Sequence, residues 1–312
     1  MKARKASSMG HRGPREHGQE ARASGVAAPA KINLFLEVLG RRPDGYHKIS
    51  TLFQEISLAD RLTVRTDPGL AAGIFRLTVK GADLPADGDN LVLRAARAFL
   101  EKVPAACGRH FLLEKRIPVG AGLGGGSSDA AATLKAMWRL SSPAPGPFPA
   151  HKFVRIAQRL GADVPFFLSG GRAWGRGIGD RLTLLPRRER TPYHFVLVYP
   201  GTAVLTRWVY KRLRFPLTKR RTSLTLQRML DAARPAAEWA PHLFNRLEEV
   251  VLPRVAGVRE ARGALARAGC RAALMSGSGS SVFGVVDSPS HGRRVMAALP
   301  RGKWIVRLVR SV

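Results

Sequence analysis

Acidic residues are scarce in this chain, with 22 Asp and Glu against 52 Lys and Arg, and cysteine is almost missing, with two residues, Cys107 and Cys270. Two cysteines exclude a disulfide framework and offer no metal-binding spacing, and we read both as buried thiols of a reducing compartment. No apolar run approaches the roughly 20 residues that span a bilayer, and the N-terminus lacks the continuous apolar segment of a secretory signal. The expected location is therefore the cytoplasm. The shortage of acids leaves a net charge of +30, and such a field attracts polyanions at low salt. The basic residues are nevertheless spread along the whole chain, with local clusters only at Arg187 to Arg190 and Lys219 to Arg221. That spread favours a solvated basic surface over a nucleic-acid groove.

What is present suits a globular protein: 312 residues, 45% of them hydrophobic, enough for one large domain or two medium ones. Residues 1–27 are polar, basic and rich in Gly and Ser, the composition of a disordered tail. From Ala28, the sequence APAKINLFLEVLG alternates: Ile32, Leu34, Leu36 and Val38 share one face, Lys31, Asn33, Phe35 and Glu37 the other. This is the pattern of a strand with one buried face, so Lys31 and Asn33 are expected to point away from the core. A turn on Pro43, Asp44 and Gly45 leads into more strand. Helical periodicity marks Asn90 to Val103, His151 to Leu160, Arg207 to Leu213, Leu224 to Ala233 and Val258 to Ala268, with short strands at Phe75 to Val79, Phe195 to Val198, Arg271 to Met275, Ser281 to Val286 and Lys303 to Val309. Strands and helices mix without a regular βαβ rhythm, so the fold class is α+β. A connector at residues 187–192 marks the seam between two halves.

The most informative stretch is VGAGLGGGSSDAA, Val119 to Ala131. Gly120, Gly122 and Gly125 satisfy G-x-G-x-x-G, but the chain runs into SSPAPGPFPA where a dinucleotide fold needs an acidic residue. The Gly-Lys-Ser/Thr of a Walker A loop is also missing. What remains is a backbone that Gly124, Gly125 and Gly126 open to an anion, ahead of a helix that Ser127 or Ser128 caps and whose positive end faces that anion. This is a triphosphate cradle, with a hydroxyl available to Mg²⁺.

Those residues resemble the second motif of the GHMP kinases, which phosphorylate small-molecule hydroxyls with ATP. APAKINLFLEVLGRRPDGYHKISTLFQ, GADVPFFLSGGRAWGRGIGDRL and ALMSGSGSSVFG resemble, in order, the other motifs of the isoprenoid-pathway branch, and the likeness runs from about Ala28 to the C-terminus. The resemblance implies a two-domain fold: an N-terminal ATP-binding domain with ribosomal-protein-like, left-handed βαβ topology over 28–188, and a C-terminal α/β sandwich that binds substrate over 189–312. It implies ATP-dependent phosphorylation of the 2-hydroxyl of a methylerythritol carrying a cytidine diphosphate, in the non-mevalonate route to isopentenyl diphosphate. Homoserine, mevalonate or sugar kinases and a basic RNA-binding protein are the alternatives. A monomer or weak homodimer is the expected assembly.

For the site, the resemblance implies Asp163 as general base and Lys31 beside it as electrostatic partner. Pro165 should hold Val164 extended. The nucleotide would lie along Pro118, Gly120, Gly122, Leu123, Gly124, Gly125, Gly126, Ser127 and Ser128, with Ser128 as the metal ligand. Asn90 and Lys115 match positions near adenine and phosphates, yet could equally be a helix cap and a surface charge. The resemblance places the cytosine on Tyr46 and His47, Asn33 and Thr206 nearby, and a second aromatic at Tyr210, with Trp208 competing for that role. Ser276 to Gly279 should be a tight turn beneath the phosphate loop, or a plain hairpin turn.

Overall fold

The computed structural model describes residues 21–141, 145–186, 192–214 and 224–312. Most of the predicted tail, most of the seam connector and the clusters Arg187 to Arg190 and Lys219 to Arg221 lie outside the described residues. In chain order the elements are β1 (Ala23–Arg41), β2 (His47–Asp67), β3 (Phe75–Lys80), α1 (Leu91–Leu100), β4 (Gly108–Glu114), α2 (Gly125–Leu140), α3 (Ala150–Leu160), α4 (Val164–Ser169), β5 (Arg172–Arg176) and β6 (Arg181–Leu185). There follow β7 (His194–Tyr199), α5 (Thr206–Lys211), α6 (Leu224–Asp231), α7 (Ala236–Trp239), β8 (Phe244–Asn245), α8 (Glu248–Val251), α9 (Ala256–Arg267), β9 (Ala272–Met275), β10 (Val282–Val286), α10 (Pro289–Ala298) and β11 (Ile305–Arg310).

Strands β1 and β2 form a long antiparallel pair at the centre of a mixed seven-stranded sheet with the path β3-β4-β2-β1-β8, and β5 and β6 extend it from β2. One strand from the second half of the chain, β8, joins this sheet parallel to β1 and ties the two halves together. The second sheet is antiparallel, in the order β11-β7-β10-β9. Along β7, Phe195 and Leu197 enter the core shared with Ile32, Leu34 and Phe283, whereas Val196 and Val198 join Val258, Leu265 and Val295 on the opposite side. Both faces of that sheet are therefore buried, which is why its strands read as unbroken apolar runs.

Three sequence expectations change. Strand β1 begins at Ala23, inside the predicted tail. Ser24, Val26 and Ala28 point inward in register with β2, and such small or polar inward residues carry little hydrophobic signal. Lys31, Asn33, Phe35 and Glu37 do not face solvent but are all buried. Packing of α2 against the sheet and of the second half beyond it covers β1 on both sides. Cys270 is half-buried, with burial pushing its thiol up to about 12, whereas Cys107 is buried as expected.

Candidate active site

A cavity of about 1360 Å³ runs from the loop before α1, past the glycine loop, to the turn after β1 and the face of α5. Among the described residues the glycine loop is fixed from three directions. Gly122 has φ +75°, and a Cβ there would approach the Gly279 carbonyl oxygen to 2.8 Å, so the position admits glycine alone. The Ser276 hydroxyl donates to the Gly122 carbonyl at 3.0 Å, and the Ser281 amide to the Ala121 carbonyl at 3.1 Å. The turn at Ser276 to Gly279 thus supports the loop directly.

The helix that leaves this loop is capped differently from the expectation. Gly124, with φ +71°, is the N-cap of α2 and no side chain caps it, because helical geometry begins at Gly125 and draws both serines into the first turn. Ser127 lines the cavity. Ser128 lies on the inner face of α2, 1% exposed, and its hydroxyl has no partner among the described residues. Of the two serines, Ser127 alone faces the cavity, whereas Ser128 points into the core.

Asp163 and Lys31, 132 positions apart, meet at this helix start. The Lys31 ammonium donates to the Asn33 side-chain oxygen at 2.8 Å and to the Gly122 carbonyl at 2.9 Å, and lies 3.7 Å from the Asp163 carboxylate. Burial pushes the Lys31 amine below its usual range, and Asp163 opposes that shift by favouring the charged form. The Asn33 amide donates to Thr51 at 2.7 Å, and Thr51 donates to the Phe35 carbonyl. Asn33 thus lines the cavity with its side chain already engaged as the holder of Lys31. Asp163 itself is the N-cap of α4, and its side chain is 32% exposed. Val164 is helical rather than extended. Pro165 falls in the first turn of α4, where its missing N–H costs nothing.

Asn90 and Lys115 line the cavity near the loop before α1, and each has a structural task. The Asn90 side chain accepts from the Val92 amide at 3.0 Å as the N-cap of α1. Lys115 is buried, with its ammonium between Asp60 and Asp129, the latter at 2.7 Å. The second Asp60 oxygen accepts the amides of Arg116 and Ile117 at 2.5 and 2.8 Å. Burial, reinforced by Asp60 and opposed by Lys115, pushes Asp129 up to about 7.

At the other end Tyr46 is 62% exposed, and the His47 ring lies 4.9 Å from that of Tyr210 at 31°. Burial, then the charge of Arg41, holds His47 below the usual histidine range. Tyr210 lines the cavity, whereas Trp208 does not and carries the Arg212 guanidinium over its ring at 4.4 Å. Thr206 lines the cavity and shares a 2.8 Å hydrogen bond with Ser278. Pro118, Gly120, Leu123, Gly125 and Gly126 also lie along the wall. Sequence reasoning missed Leu84, Pro85, Leu113 and Val204, apolar lining residues with nothing in their local pattern to separate them from core. It also passed over Arg41, Arg207 and Lys211, whose signal is their spacing around His47 and Tyr210.

The model of the GHMP kinases N terminal domain matches residues 90–171, and that of the GHMP kinases C terminal matches 226–305. The 4-diphosphocytidyl-2-C-methyl-D-erythritol kinase of Deinococcus radiodurans is 43% identical over 288 residues, 89% of this chain and 90% of that protein. The chain belongs to the 4-diphosphocytidyl-2-C-methyl-D-erythritol kinase family. A crystal structure of 4-(cytidine 5'-diphospho)-2C-methyl-D-erythritol kinase superposes with a TM-score of 0.75 at 38% identity, covering 92% of this chain and 99% of that one. A homoserine kinase from Cytophaga hutchinsonii gives a TM-score of 0.72 at 18% identity, covering 95% and 96% of the two chains. This second likeness shows the fold alone. The two-domain GHMP kinase fold, the ATP dependence and the kinase activity of the 4-diphosphocytidyl-2-C-methyl-D-erythritol kinase family replace the RNA-binding alternative.

Proposed function

We propose that this chain transfers the γ-phosphoryl group of ATP to the 2-hydroxyl of 4-diphosphocytidyl-2-C-methyl-D-erythritol, using Asp163 as general base and Lys31 as its electrostatic partner. The observation that carries this reading is the 3.7 Å approach of Lys31 and Asp163 beside the glycine loop. Phosphoryl transfer asks the protein mainly for positioning and charge stabilisation. Adenine occupies the end near Asn90 and Leu84, and the phosphates reach the amides at the start of α2. The cytosine lies between Tyr46 and Tyr210, with His47 at its polar edge, so the polyol extends toward Asp163.

The proton budget follows from the contacts. Asp163 accepts the hydroxyl proton as the oxygen attacks. Lys31, whose other contacts go to Asn33 and Gly122, keeps the carboxylate ionised and offsets the charge that gathers on the transferring group. Burial and the negative field of Asp163 raise Tyr210, so its phenol stays neutral in the site.

The donor set fits magnesium. Among the described residues no group of three or more acidic, His or Cys side chains could hold a metal by protein contacts alone. A cation held chiefly by phosphate oxygens, with Ser127 and Asp163 as oxygen ligands, is what Mg²⁺ accepts. It would neutralise charge on the β- and γ-phosphates. The ATP side is supplied by residues between β1 and α4, and the substrate side by both halves of the chain.

Purified protein with Mg·ATP should release ADP in step with phosphorylation of 4-diphosphocytidyl-2-C-methyl-D-erythritol. Homoserine, mevalonate and simple sugars should stay unphosphorylated. Turnover on one of those, with none on the cytidine compound, would replace this reading.

A further inference from the structure

Asn245, in the two-residue strand β8, is 2% exposed and is absent from the cavity wall. Its side chain nevertheless uses both of its donors and its acceptor. The amide nitrogen donates to the Met275 carbonyl at 2.7 Å and to the Gly277 carbonyl at 2.8 Å, and the side-chain oxygen accepts the Leu247 amide at 3.0 Å. The two carbonyls belong to the end of β9 and to the turn after it, the turn whose Ser276 hydroxyl holds Gly122.

The other side of that turn meets Lys31. Gly277 has φ +54°, and a Cβ there would stand 3.1 Å from the Lys31 ammonium, 3.1 Å from the Gly122 carbonyl oxygen and 3.2 Å from the Asn33 side-chain oxygen. The turn backbone is thus packed against the ammonium and both of its hydrogen-bond acceptors. Asn245 is itself fixed to the strand that carries Lys31. β8 pairs with β1 at Phe35 and Leu36, the Arg246 amide donates to the Leu36 carbonyl at 2.8 Å, and the Arg246 guanidinium grips both oxygens of Glu37 at 2.8 Å. A closed path therefore runs from Lys31 along β1 to Leu36, across to Asn245, through its hydrogen bonds to Gly277, and back to Lys31. Buried polar groups joined in this way favour one geometry, because any other leaves donors and acceptors unpaired.

Resting on the kinase reading above, we propose that Asn245 is a positioning residue for phosphoryl transfer: through Gly277 it sets where the Lys31 ammonium stands relative to the Asp163 carboxylate, 3.7 Å away. Small displacements of a charge that acts on the transition state slow the chemical step. Asn245 lies outside the cavity wall, so its loss acts on turnover rather than on the affinity for either ligand. The glycine loop keeps its own contact to the Ser281 amide.

Two variants separate hydrogen bonding from packing. N245S keeps one hydroxyl donor and loses volume, whereas N245L keeps volume and loses every polar atom. The expected kcat is about tenfold below the wild type in N245S and about 10²-fold below it in N245L, with KM for ATP and for the cytidine substrate within about threefold of the wild type. N245L faster than N245S marks a packing role and overturns the proposal, as does a wild-type kcat in N245S. K31M isolates the route: in that background N245S should lower kcat by no more than about twofold, because the ammonium it positions is gone. A full further loss there means that Asn245 acts elsewhere, which also overturns the proposal. N245S, the smaller change, carries these comparisons if N245L does not fold. Hydrogen exchange gives a readout independent of turnover. The amides of residues 276–281 should exchange about tenfold faster or more in N245S, with those at the centre of β7 unchanged, and unaltered exchange in the turn overturns the proposal. A wild type that turns over none of the cytidine substrate overturns the kinase reading alone, and the exchange comparison then decides whether Asn245 holds the turn.

Discussion

The ammonium of Lys31 stands between the Gly122 carbonyl, at 2.9 Å, and the Asp163 carboxylate, at 3.7 Å. One buried cation thereby ties the glycine loop to Asp163. Replacing it with methionine keeps the hydrocarbon stem and removes the charge. K31M should lower kcat by about 10²–10³-fold, the usual scale for loss of one transition-state electrostatic contact. Its KM for ATP should change much less, because the loop is also held by Ser276 and Ser281. Single-turnover kinetics separates the two effects, and a K31M enzyme with normal kcat would remove Lys31 from the chemistry.

Tyr210 and Trp208 are two residues apart, yet only the first reaches the cavity. Loss of a stacking aromatic costs about 1–3 kcal/mol per base. Y210A should therefore raise KM for the cytidine substrate by roughly tenfold or more. W208A should leave that KM within about twofold. Equal effects from the two substitutions would contradict the assignment of the platform.

The Asp60–Lys115–Asp129 cluster makes stability depend on pH. Asp129 titrates near 7 in the folded protein against 3.8 when unfolded, so the folded state holds an extra proton between those values. Stability contributed by this group is full below about pH 4 and is lost as pH rises to about 7. D129N imitates the protonated form. Urea midpoints at pH 5 and pH 8 should fall less with pH in D129N than in the wild type, and D129N should be the more stable protein at pH 8. K115M, by contrast, leaves two buried carboxylates without their cation and should cost about 3–5 kcal/mol.

The inward alternation at Ile32, Leu34, Leu36 and Val38 and the glycine turn ahead of α2 were legible because their constraints are local. The roles proposed for Asp163 and Tyr46 rest on the family resemblance, since a lone Asp or Tyr in a turn carries no such signal by spacing alone. What could not be read depends on contacts distant in sequence. The alternation puts Lys31 on the face away from the core, and only the whole sheet shows that β1 is covered on that face too. The resemblance puts Lys115 near the phosphates and the local sequence leaves it a surface charge, and the structure buries it against an acid 55 positions away. The serines looked like caps because Gly124 reaches the left-handed conformation that starts α2 one turn earlier.

Measurement of kcat for D163N beside its binding of ATP and of the cytidine substrate isolates the chemical step. The Asp163 side chain is partly exposed, accepts no hydrogen bond among the described residues and pairs only with Lys31. The amide variant should therefore fold normally and bind the cytidine substrate with an affinity near that of the wild type, while its binding of Mg·ATP reports the loss of a carboxylate ligand separately from the chemical step. Its kcat should fall by about 10²–10⁴-fold, the usual contribution of a positioned general base. Undiminished turnover in a folded D163N would show that the hydroxyl proton leaves by another route, and the pairing of Lys31 with Asp163 would then be structural alone.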